Sequence, residues 1–216
     1  MKTSPDREAV IVTDLGFGDA GKGSIVDYLA RTLRAHAVIR FNGGSQAAHN
    51  VVAPDGRHHT FSQFGSATFV DGVRTHLSRH MIVNPPAMLV EAEILRKKGV
   101  VDAFARTTIS AEALVITPYQ RAANRLREIA RSDGRHGSCG HGIGETAADA
   151  LTVGRSVVRA GDFREPEVLR RKLRWLQAHK RQQLRDTIER CRGIPAAAEE
   201  IAWLEGDALP GAYLRS

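Results

Sequence analysis

Short apolar runs and helically spaced apolar positions alternate along the first part of the chain, a pattern typical of strands that alternate with helices. Residues 9–12 and 37–41 are rich in β-branched side chains and bounded by turn residues, so they predict two buried strands. Residues 24–33 predict an amphipathic helix between them. The three segments together predict a parallel, right-handed strand–helix–strand unit. The apolar positions of the helix are Ile25, Val26, Leu29 and Leu33.

The same mixed pattern continues along the rest of the chain. The turn Pro54-Asp55-Gly56 joins two extended segments, residues 51–52 and 59–61. Residues 193–216 are interrupted by Pro and Gly and predict no element. The remaining predicted elements are strands at 81–83 and 107–110, helices at 86–98 and 119–131, and one long helix or a helix pair at 166–192.

A glycine-dense turn separates the first predicted strand from the first predicted helix, within residues 10–24. Gly16, Gly21 and Lys22 match the first part of a phosphate-binding loop, which reads Gly, four residues, Gly-Lys. The hydroxyl that normally follows comes one place late, at Ser24. Glycine amides, a helix N-terminus and a lysine ammonium all favour a bound anion. A turn without a ligand is the alternative.

Asp19 lies inside this turn and is its unusual residue. A carboxylate beside phosphates is repulsive unless a cation lies between them or the carboxylate acts as a base. Asp19 therefore indicates chemistry beyond the holding of a nucleotide.

Two further glycine clusters follow along the chain. Residues 43–44 end the second predicted strand, so they should face the same crevice as residues 16–23. Residues 134–144 contain alternating glycines with Ser138, Cys139 and His141, and their amides would suit closure over a phosphate. An unliganded surface loop is the alternative for this third cluster.

Composition narrows the class of protein. The 216 residues are 42% hydrophobic and 25% charged, which is typical of a folded globular domain. Two cysteines, Cys139 and Cys191, make neither a disulfide framework nor a zinc site. The acids in the first ten residues argue against a signal peptide, and no apolar run reaches membrane-spanning length. We expect a cytoplasmic protein that does not bind membranes.

The net charge of +7 is unevenly distributed. Residues 164–192 contain ten Lys/Arg and four Asp/Glu. Such a segment is typical of a solvated helix face or of a surface that meets an anionic subunit. Nucleic acid is the less favoured interpretation.

The three glycine clusters resemble those of the adenylosuccinate synthetase family. Residues 18–24 read Gly-Asp-Ala-Gly-Lys-Gly-Ser, where the family has Gly-Asp-Glu-Gly-Lys-Gly-Lys. Residues 43–50 read Gly-Gly-Ser-Gln-Ala-Ala-His-Asn, against Gly-Gly-His-Asn-Ala-Gly-His-Thr. Residues 137–144 read Gly-Ser-Cys-Gly-His-Gly-Ile-Gly, against Gly-Thr-Thr-Gly-Arg-Gly-Ile-Gly. Residues 158–163 are similar to the family's Leu-Arg-Val-Gly-Asp-Leu.

The resemblance covers residues 9–185 and implies an α/β fold like the N-terminal part of the synthetase. It predicts a mostly parallel sheet with a P-loop-like phosphate-binding loop and a helical subdomain. The family's chains are much longer, and their second half has no counterpart here. We expect a nucleotide-binding core at residues 1–100, a helical subdomain with the loop 134–144 at 101–192, and a tail at 193–216.

The resemblance also implies a reaction. The family makes adenylosuccinate from IMP, aspartate and GTP with Mg²⁺: the purine 6-oxygen takes the γ-phosphoryl group, and the aspartate amine then displaces phosphate. Asp19 would be the general base that removes the purine N1 proton. His49 would stabilise charge on the moving phosphoryl group. Asp19 and the carbonyl of Ala48 would hold Mg²⁺.

The implied binding residues form two overlapping sets. Arg155 falls where the family reaches into a neighbouring subunit, so a homodimer, or a hetero-oligomer with a chain that supplies the missing half, is expected. The nucleotide phosphates would contact Gly18, Asp19, Ala20, Gly21, Lys22, Gly23, Ser24, Ala48, His49 and Asn50. The purine substrate would contact Asp19, Lys22, Gln46, Ala47, Ala48, His49, Cys139 and Arg155.

Departures from the family pattern surround these sites, whereas the acid–base pair Asp19 and His49 is retained. A longer side chain such as Gln for Asn misplaces a hydrogen bond to a base edge. The pattern favours retained phosphoryl activation with a changed acceptor or nucleotide. The sequence does not decide between GTP and ATP as the phosphoryl donor. The alternative is a non-catalytic module that binds nucleotides or nucleic acid. The departures are Ala20, Gln46, Ala48, Asn50, Cys139 and His141.

Overall fold

Two β-sheets and a set of helices are built from the described residues, which in this computed structural model are 8–16, 18, 20–131 and 137–214. The strands are β1 (Ala37–Gly44), β2 (His49–Val52), β3 (His58–Phe61), β4 (Arg74–Val83), β5 (Thr107–Ile109) and β6 (Leu114–Val115). The α-helices are α1 (Lys22–Thr32), α2 (Pro85–Lys97), α3 (Pro118–Ala130), α4 (Ile143–Val153), α5 (Pro166–Gln183), α6 (Arg185–Cys191), α7 (Ala198–Glu205) and α8 (Gly211–Leu214).

The larger sheet is parallel throughout, which confirms the predicted α/β class. Its order is β1-β4-β5, with β6 pairing β4 further along the strand. β1 and β4 run in register from Ala37 opposite Arg74 to Gly44 opposite Ile82, with one shift after Arg40. Parallel strands place their carboxyl ends at one edge, so the residues after β1 and after β4 lie together.

The predicted strand at residues 9–12 is wrong. The described backbone there forms no strand, and Val10 and Ile11 are 51% and 77% exposed. β1 has β4 on one edge, and no described strand pairs with its other edge. A strand forms only where a neighbour satisfies its amides and carbonyls, so the strand–helix–strand unit is not completed.

The first helix forms as predicted, but its apolar face is only partly covered. Gly23, Asp27 and Ala30 are its buried residues. Ile25 and Leu33, which were expected on the buried face, are 47% and 50% exposed. The side of α1 that carries them therefore has no apolar neighbour among the described residues.

Most of the other predicted elements are confirmed with small shifts in their ends. The exception is β4, which begins at Arg74, seven residues before the strand predicted at 81–83. β2 and β3 are antiparallel around the predicted Pro54-Asp55-Gly56 turn. The predicted segment 166–192 is a helix pair, interrupted at Leu184. Four elements lacked a sequence signal and were not predicted: β6, α4, α7 and α8.

The described residues form two large buried apolar clusters and a small third one, of Ala30, Ala67 and Val73. One of the large clusters packs the sheet against α2 and includes Phe61, Leu77 and Leu95. The other packs α3 against α5, α6 and α7. The tail joins this helical cluster through Tyr213, which is buried and donates a hydrogen bond of 2.7 Å to the carbonyl of Ile116. No helix in the described segments is long and apolar enough to span a bilayer.

A buried ion network ties α3, α4 and α5 together. Lys180 of α5 is 1% exposed, and its Nζ lies 2.6 Å from Asp149 Oδ1 and 3.0 Å from Glu145 Oε2, both on α4. Gln120 of α3 donates to Asp149 Oδ2 at 3.1 Å. A buried charge is tolerated only when it is paired, so this network fixes the position of α4.

Replacing Lys180 with Met leaves the buried Asp149 without its cation, whereas Glu145 keeps its ion pair with Arg127. We expect the free energy of unfolding, measured by urea titration, to fall by about 3–5 kcal/mol. The matched control is Arg170→Met, which removes an exposed pair with Glu167 on the same helix and should change stability by less than about 1 kcal/mol. Equal effects of the two variants would contradict a structural role for the network.

Candidate functional site

The start of α1 packs directly against β2. A Cβ added to Gly23 would lie 2.8 Å from the carbonyl oxygen of Asn50 and 2.9 Å from the backbone and Cβ of His49. The hydroxyl of Ser24 donates to the same Asn50 carbonyl at 3.1 Å. The first and second glycine clusters are therefore in contact, and only glycine at position 23 permits this approach.

The second cluster contacts the third. Ser45 Oγ lies 3.1 Å from His141 Nδ1, within hydrogen-bond distance. A Cβ on Gly44 would lie 2.9 Å from Ile143 Cδ1 and 3.1 Å from the carbonyl oxygen of Ile82. The carboxyl ends of β1 and β4 thus meet the first residue of α4.

The third cluster is seated on α3. Gly142 caps the N-terminus of α4 with φ 80°, a conformation that favours glycine. A Cβ there would lie 2.8 Å from the backbone nitrogen of Arg121. The described parts of all three glycine clusters consequently form one group of contacting loops, which we call the loop cluster: residues 18, 20–24, 43–50 and 137–144. The contact between the first two clusters, at Gly23 and His49, agrees with the expectation that they face the same crevice.

Lys22 is the first residue of α1, and its ammonium pairs with the carboxylate of Asp14. The backbone N–H of Gly16 donates to the other carboxylate oxygen at 2.8 Å. The hydrogen bond from Lys22, and to a smaller extent the one from Gly16, holds the pKa of Asp14 below its ordinary value. An anion that approaches Lys22 must compete with an ionised carboxylate from the same loop.

His49 is half-buried at the start of β2. Its pKa lies below the ordinary value because burial disfavours the imidazolium, and because Arg40 and Lys22 repel its charge, while Glu91 opposes the shift. The ring is therefore neutral at neutral pH, with one N–H donor and one acceptor nitrogen. Lys22 and His49 act on each other electrostatically, which agrees with their predicted membership of one site.

Two buried charges near His49, Arg40 and Glu91, were missed by sequence reasoning; they interact electrostatically. Arg40 is 7% exposed, contacts the carbonyl of Ser62, and burial lowers its pKa to about 10. Glu91, from α2, accepts from the backbone nitrogens of Ser62 and Gln63 at 3.0 and 2.7 Å. The available signal was the single charge inside the predicted strand Ala-Val-Ile-Arg-Phe, where an unpaired arginine would be costly.

The remaining predicted site residues fall into three groups. Asp19 lies outside the described residues. Arg155 is exposed on a single 3₁₀ turn and makes no hydrogen bond or ion pair with any part of the chain that the structure describes. The side chain of Asn50 accepts from Thr60 Oγ1 at 2.6 Å. The predicted site residues of the loop cluster that are solvent-exposed are Gly18, Ala20, Gly21, Ser24, Gln46, Ala48, Asn50 and Cys139, whereas Ala47 is half-buried.

The ligand set for a metal is sparse in this region. No group of three or more His, Cys, Asp or Glu side chains with metal-binding geometry occurs among residues 8–16, 18, 20–131 and 137–214. Mg²⁺ usually binds one or two protein oxygens, with phosphates and water as its other ligands. A Mg²⁺ ion at the loop cluster would therefore need ligands other than the side chains that the structure describes.

The pattern of all three loops is matched by a known family. A family model described as adenylosuccinate synthetase matches residues 11–205. The chain belongs to the adenylosuccinate synthetase family. The synthetase of Neisseria gonorrhoeae is 36% identical over 164 residues, covering 76% of this chain and 37% of that protein. The synthetase of Chlorobium chlorochromatii is 32% identical over 186 residues, covering 86% and 42%. The chain thus spans about two fifths of these family relatives' length.

Solved structures support the same fold. A fully ligated adenylosuccinate synthetase from Plasmodium falciparum superposes with a TM-score of 0.68 at 20% identity, over 86% of this chain and 41% of that one. A cyanophage S-2L succinoaminodeoxyadenylate synthetase, bound to dGMP and to dATP as an energy donor, gives a TM-score of 0.51 at 16% identity, over 68% and 39%. The expected likeness to the N-terminal part of the synthetase fold is confirmed.

Gly23→Ala tests the contact between α1 and β2. Alanine normally stabilises a helix relative to glycine by roughly 1 kcal/mol, but here the new methyl group meets backbone atoms. We expect a loss of about 1–3 kcal/mol in urea unfolding. Gly144→Ala is the matched control, since it also lies in the first turn of a helix and its Cβ would meet nothing within 4 Å. A Gly23→Ala protein as stable as Gly144→Ala would contradict the close approach.

Proposed function

We propose that this chain is the phosphate-binding part of a purine nucleotide ligase of the adenylosuccinate synthetase type, acting in the cytoplasm. The observation that carries the proposal is the loop cluster, in which Gly23 meets His49 and Ser45 meets His141. Membership of the family supports it, because the same loops carry the family's motifs.

The nucleotide would lie with its phosphates against the start of α1. The backbone of residues 18–24 supplies N–H groups, and the helix N-terminus adds partial positive charge. On binding, the Lys22 ammonium would leave its ion pair with Asp14 and contact a phosphate oxygen instead. Ala48, His49 and Asn50 complete the proposed phosphate contacts, since Asn50 is joined to α1 through Ser24.

The proposed chemistry needs a base and a charge stabiliser. Asp19 would remove the N1 proton of a purine such as IMP, which makes the 6-oxygen a nucleophile toward the γ-phosphoryl group of GTP or ATP. His49, neutral because it is half-buried near Arg40, would donate an N–H to the oxygen on which charge accumulates. The amine of aspartate then displaces phosphate from the purine.

Mg²⁺ would be held by Asp19 and by the backbone carbonyl of Ala48. Bound there, the ion would neutralise charge on the nucleotide phosphates during transfer. The purine substrate would be held by Lys22 and His49 from α1 and β2, together with Gln46, Ala47, Ala48, Cys139 and, from a neighbouring subunit, Arg155. Cys139 is exposed, in keeping with a contact to an external ligand.

A second candidate function is a ligase with a different donor or acceptor. The departures from the family pattern, which include Gln46, Asn50, Cys139 and His141, lie in the loops proposed to contact the purine and the phosphates. The cyanophage neighbour, whose structure holds dGMP and dATP, motivates a test of deoxynucleotides and of ATP. A non-catalytic nucleotide-binding module is the outcome expected if every acceptor fails.

The sheet edge indicates how the fold would be completed. β1 leaves one edge without a partner among the described strands, and Ile39 and Phe41 on it are 63% and 57% exposed. Val10, Ile11 and Leu15 are exposed before α1. Exposed apolar patches beside a free strand edge mark an interface. We propose that a polypeptide carrying the remainder of the synthetase fold covers this surface.

Calorimetry with Mg-GTP tests the phosphate site directly. Lys22→Met should weaken binding by about tenfold or more, because a charged hydrogen bond is lost. Asp14→Asn should strengthen it, because Lys22 no longer has a competing carboxylate. Asp55→Asn, which removes an exposed partner of Arg57 in the β2–β3 turn, should leave the affinity unchanged. Weaker binding by Asp14→Asn would mean that Asp14 supports the site.

Phosphate release tests the reaction. The chain is assayed with Mg²⁺, aspartate, GTP or ATP, and a panel of purine nucleotides, alone and with the C-terminal part of the Neisseria gonorrhoeae synthetase. We expect turnover to need the added polypeptide and to be abolished by Asp19→Ala. Phe41→Lys, at the free edge of β1, should prevent the added polypeptide from binding there. Nucleotide binding measured by calorimetry should be unchanged. Unchanged turnover of Asp19→Ala would exclude Asp19 as the base, and absence of nucleotide binding would exclude the ligase.

A further inference from the structure

An open cavity of about 730 Å³ lies along α5, α6 and the end of α7, and contains no residue of the loop cluster. We call it the arginine groove. The side chains that give it its character are Arg174, Arg181, Arg185 and Arg192, together with the amides of Gln177 and Gln182. Concave surfaces with several converging cations are suited to anionic ligands.

The cations of α5 and α6 divide into two classes. Lysines are held by internal acids: Lys172 lies 2.8 Å from Asp162, and Lys180 lies 2.6 Å from Asp149. The unpaired cations are all arginines. Those without a hydrogen bond or ion pair to any described residue are Arg171, Arg174, Arg181, Arg185 and Arg190.

The unpaired arginines of α5 form a stripe. Arg171, Arg174 and Arg181 lie at i, i+3 and i+10, which places them within an arc of roughly 80° and spreads them over about 15 Å of the helix. Arg185 follows just after the break at Leu184 and lines the same groove. Each strand of a DNA duplex carries a phosphate about every 3.4 Å along the helix axis. Even in a more extended single strand, a stripe of about 15 Å could meet more than one successive phosphate.

The acids in the groove leave this stripe largely uncompensated. Glu189 and Glu205 are both engaged by Arg192, at 2.9 and 2.8 Å. Asp207 is the unpaired acid of the groove and lies beyond the end of α7. Glu189, held mainly by Arg192, also attracts Arg185 electrostatically. None of Arg174, Arg181 and Arg185 makes a hydrogen bond or ion pair with a described residue, so their guanidinium groups remain for an external anion.

An aromatic ring flanks the stripe. Trp175 is one helical turn after Arg171, is 40% exposed, and stacks on His179 with centroids 4.9 Å apart and planes at 8°. His179 holds the indole in one orientation with part of its surface open. Exposed aromatic rings beside cations are where the bases of single strands stack.

We propose that the arginine groove, together with the adjoining face of α5 that carries Arg171 and Trp175, binds single-stranded nucleic acid. The phosphates would lie against Arg171, Arg174, Arg181 and Arg185, and a base against Trp175. Planar guanidinium groups bind phosphate oxygens in pairs, and the groove contacts neither the base nor the histidine assigned to the ligase. The exposed ring favours nucleic acid over an acidic protein, because a carboxylate partner has no need of it.

Fluorescence anisotropy with a labelled single-stranded DNA of about 15 nucleotides tests the proposal on the full chain. Arg174→Gln/Arg181→Gln/Arg185→Gln should weaken binding at least tenfold and reduce the slope of log affinity against log salt by about 2, since each phosphate contact contributes about 0.7. Trp175→Ala should weaken binding about fivefold or more with the slope unchanged.

The matched control removes the same charge from paired arginines. Arg96→Gln/Arg131→Gln/Arg170→Gln breaks exposed pairs with Glu93, Glu128 and Glu167 and should retain most of the affinity. If both triple variants lose the same amount of DNA affinity, the loss follows from net charge alone, and the proposal is overturned. It would also be overturned by absence of binding at about 50 mM salt, or by a polyglutamate peptide that competes as well as DNA. Circular dichroism of each variant verifies that the exposed substitutions preserve the fold.

Discussion

Three glycine contacts hold the proposed site together. Gly23 admits the backbone of β2, Gly44 admits the start of α4 and the end of β4, and Gly142 admits the backbone of α3. At each position a side chain would require backbone or packed neighbours to move. The loops after three separate elements can therefore meet, and their amides become available to one ligand. This constraint explains why glycine clusters so distant in sequence belong to one region.

Charges behind the loops set the state of the side chains that face the ligand. The neutrality of His49 follows from its partial burial beside Arg40, and Arg40 is tolerated because Glu91 and the Ser62 carbonyl lie near it. Lys180 secures α4, and thereby the third loop, through Asp149. Lys22 is already paired with Asp14, so the phosphate position has an internal competitor. Local packing and local electrostatics are thus linked throughout the site.

Sequence patterns predicted the elements whose stability is local. The elements α1, α2, α3 and β1 and the β2–β3 hairpin follow from periodicity and turn residues. The crevice predicted for the first two glycine clusters agrees with the contact between Gly23 and His49; the contact of the third cluster with the second was not predicted. The strand at 9–12 failed because a strand depends on a neighbour, and the free edge of β1 has none among the described residues. The interactions of Arg40 with Glu91 and of Asp14 with Lys22 were missed since no spacing rule links those positions. α7 and α8 were missed because they are short and depend on packing in the helical core.

The incomplete edge and the complete loop cluster together describe a chain that is equipped to hold phosphates and carries an uncovered apolar surface. The most direct test of this account is an amide ¹H–¹⁵N titration with a non-hydrolysable GTP analogue and Mg²⁺. The account predicts that amides of residues 18–24, 44–50 and 137–144 shift together with one binding constant. Shifts confined to a single loop, or no shift in any of them, would contradict a common phosphate site.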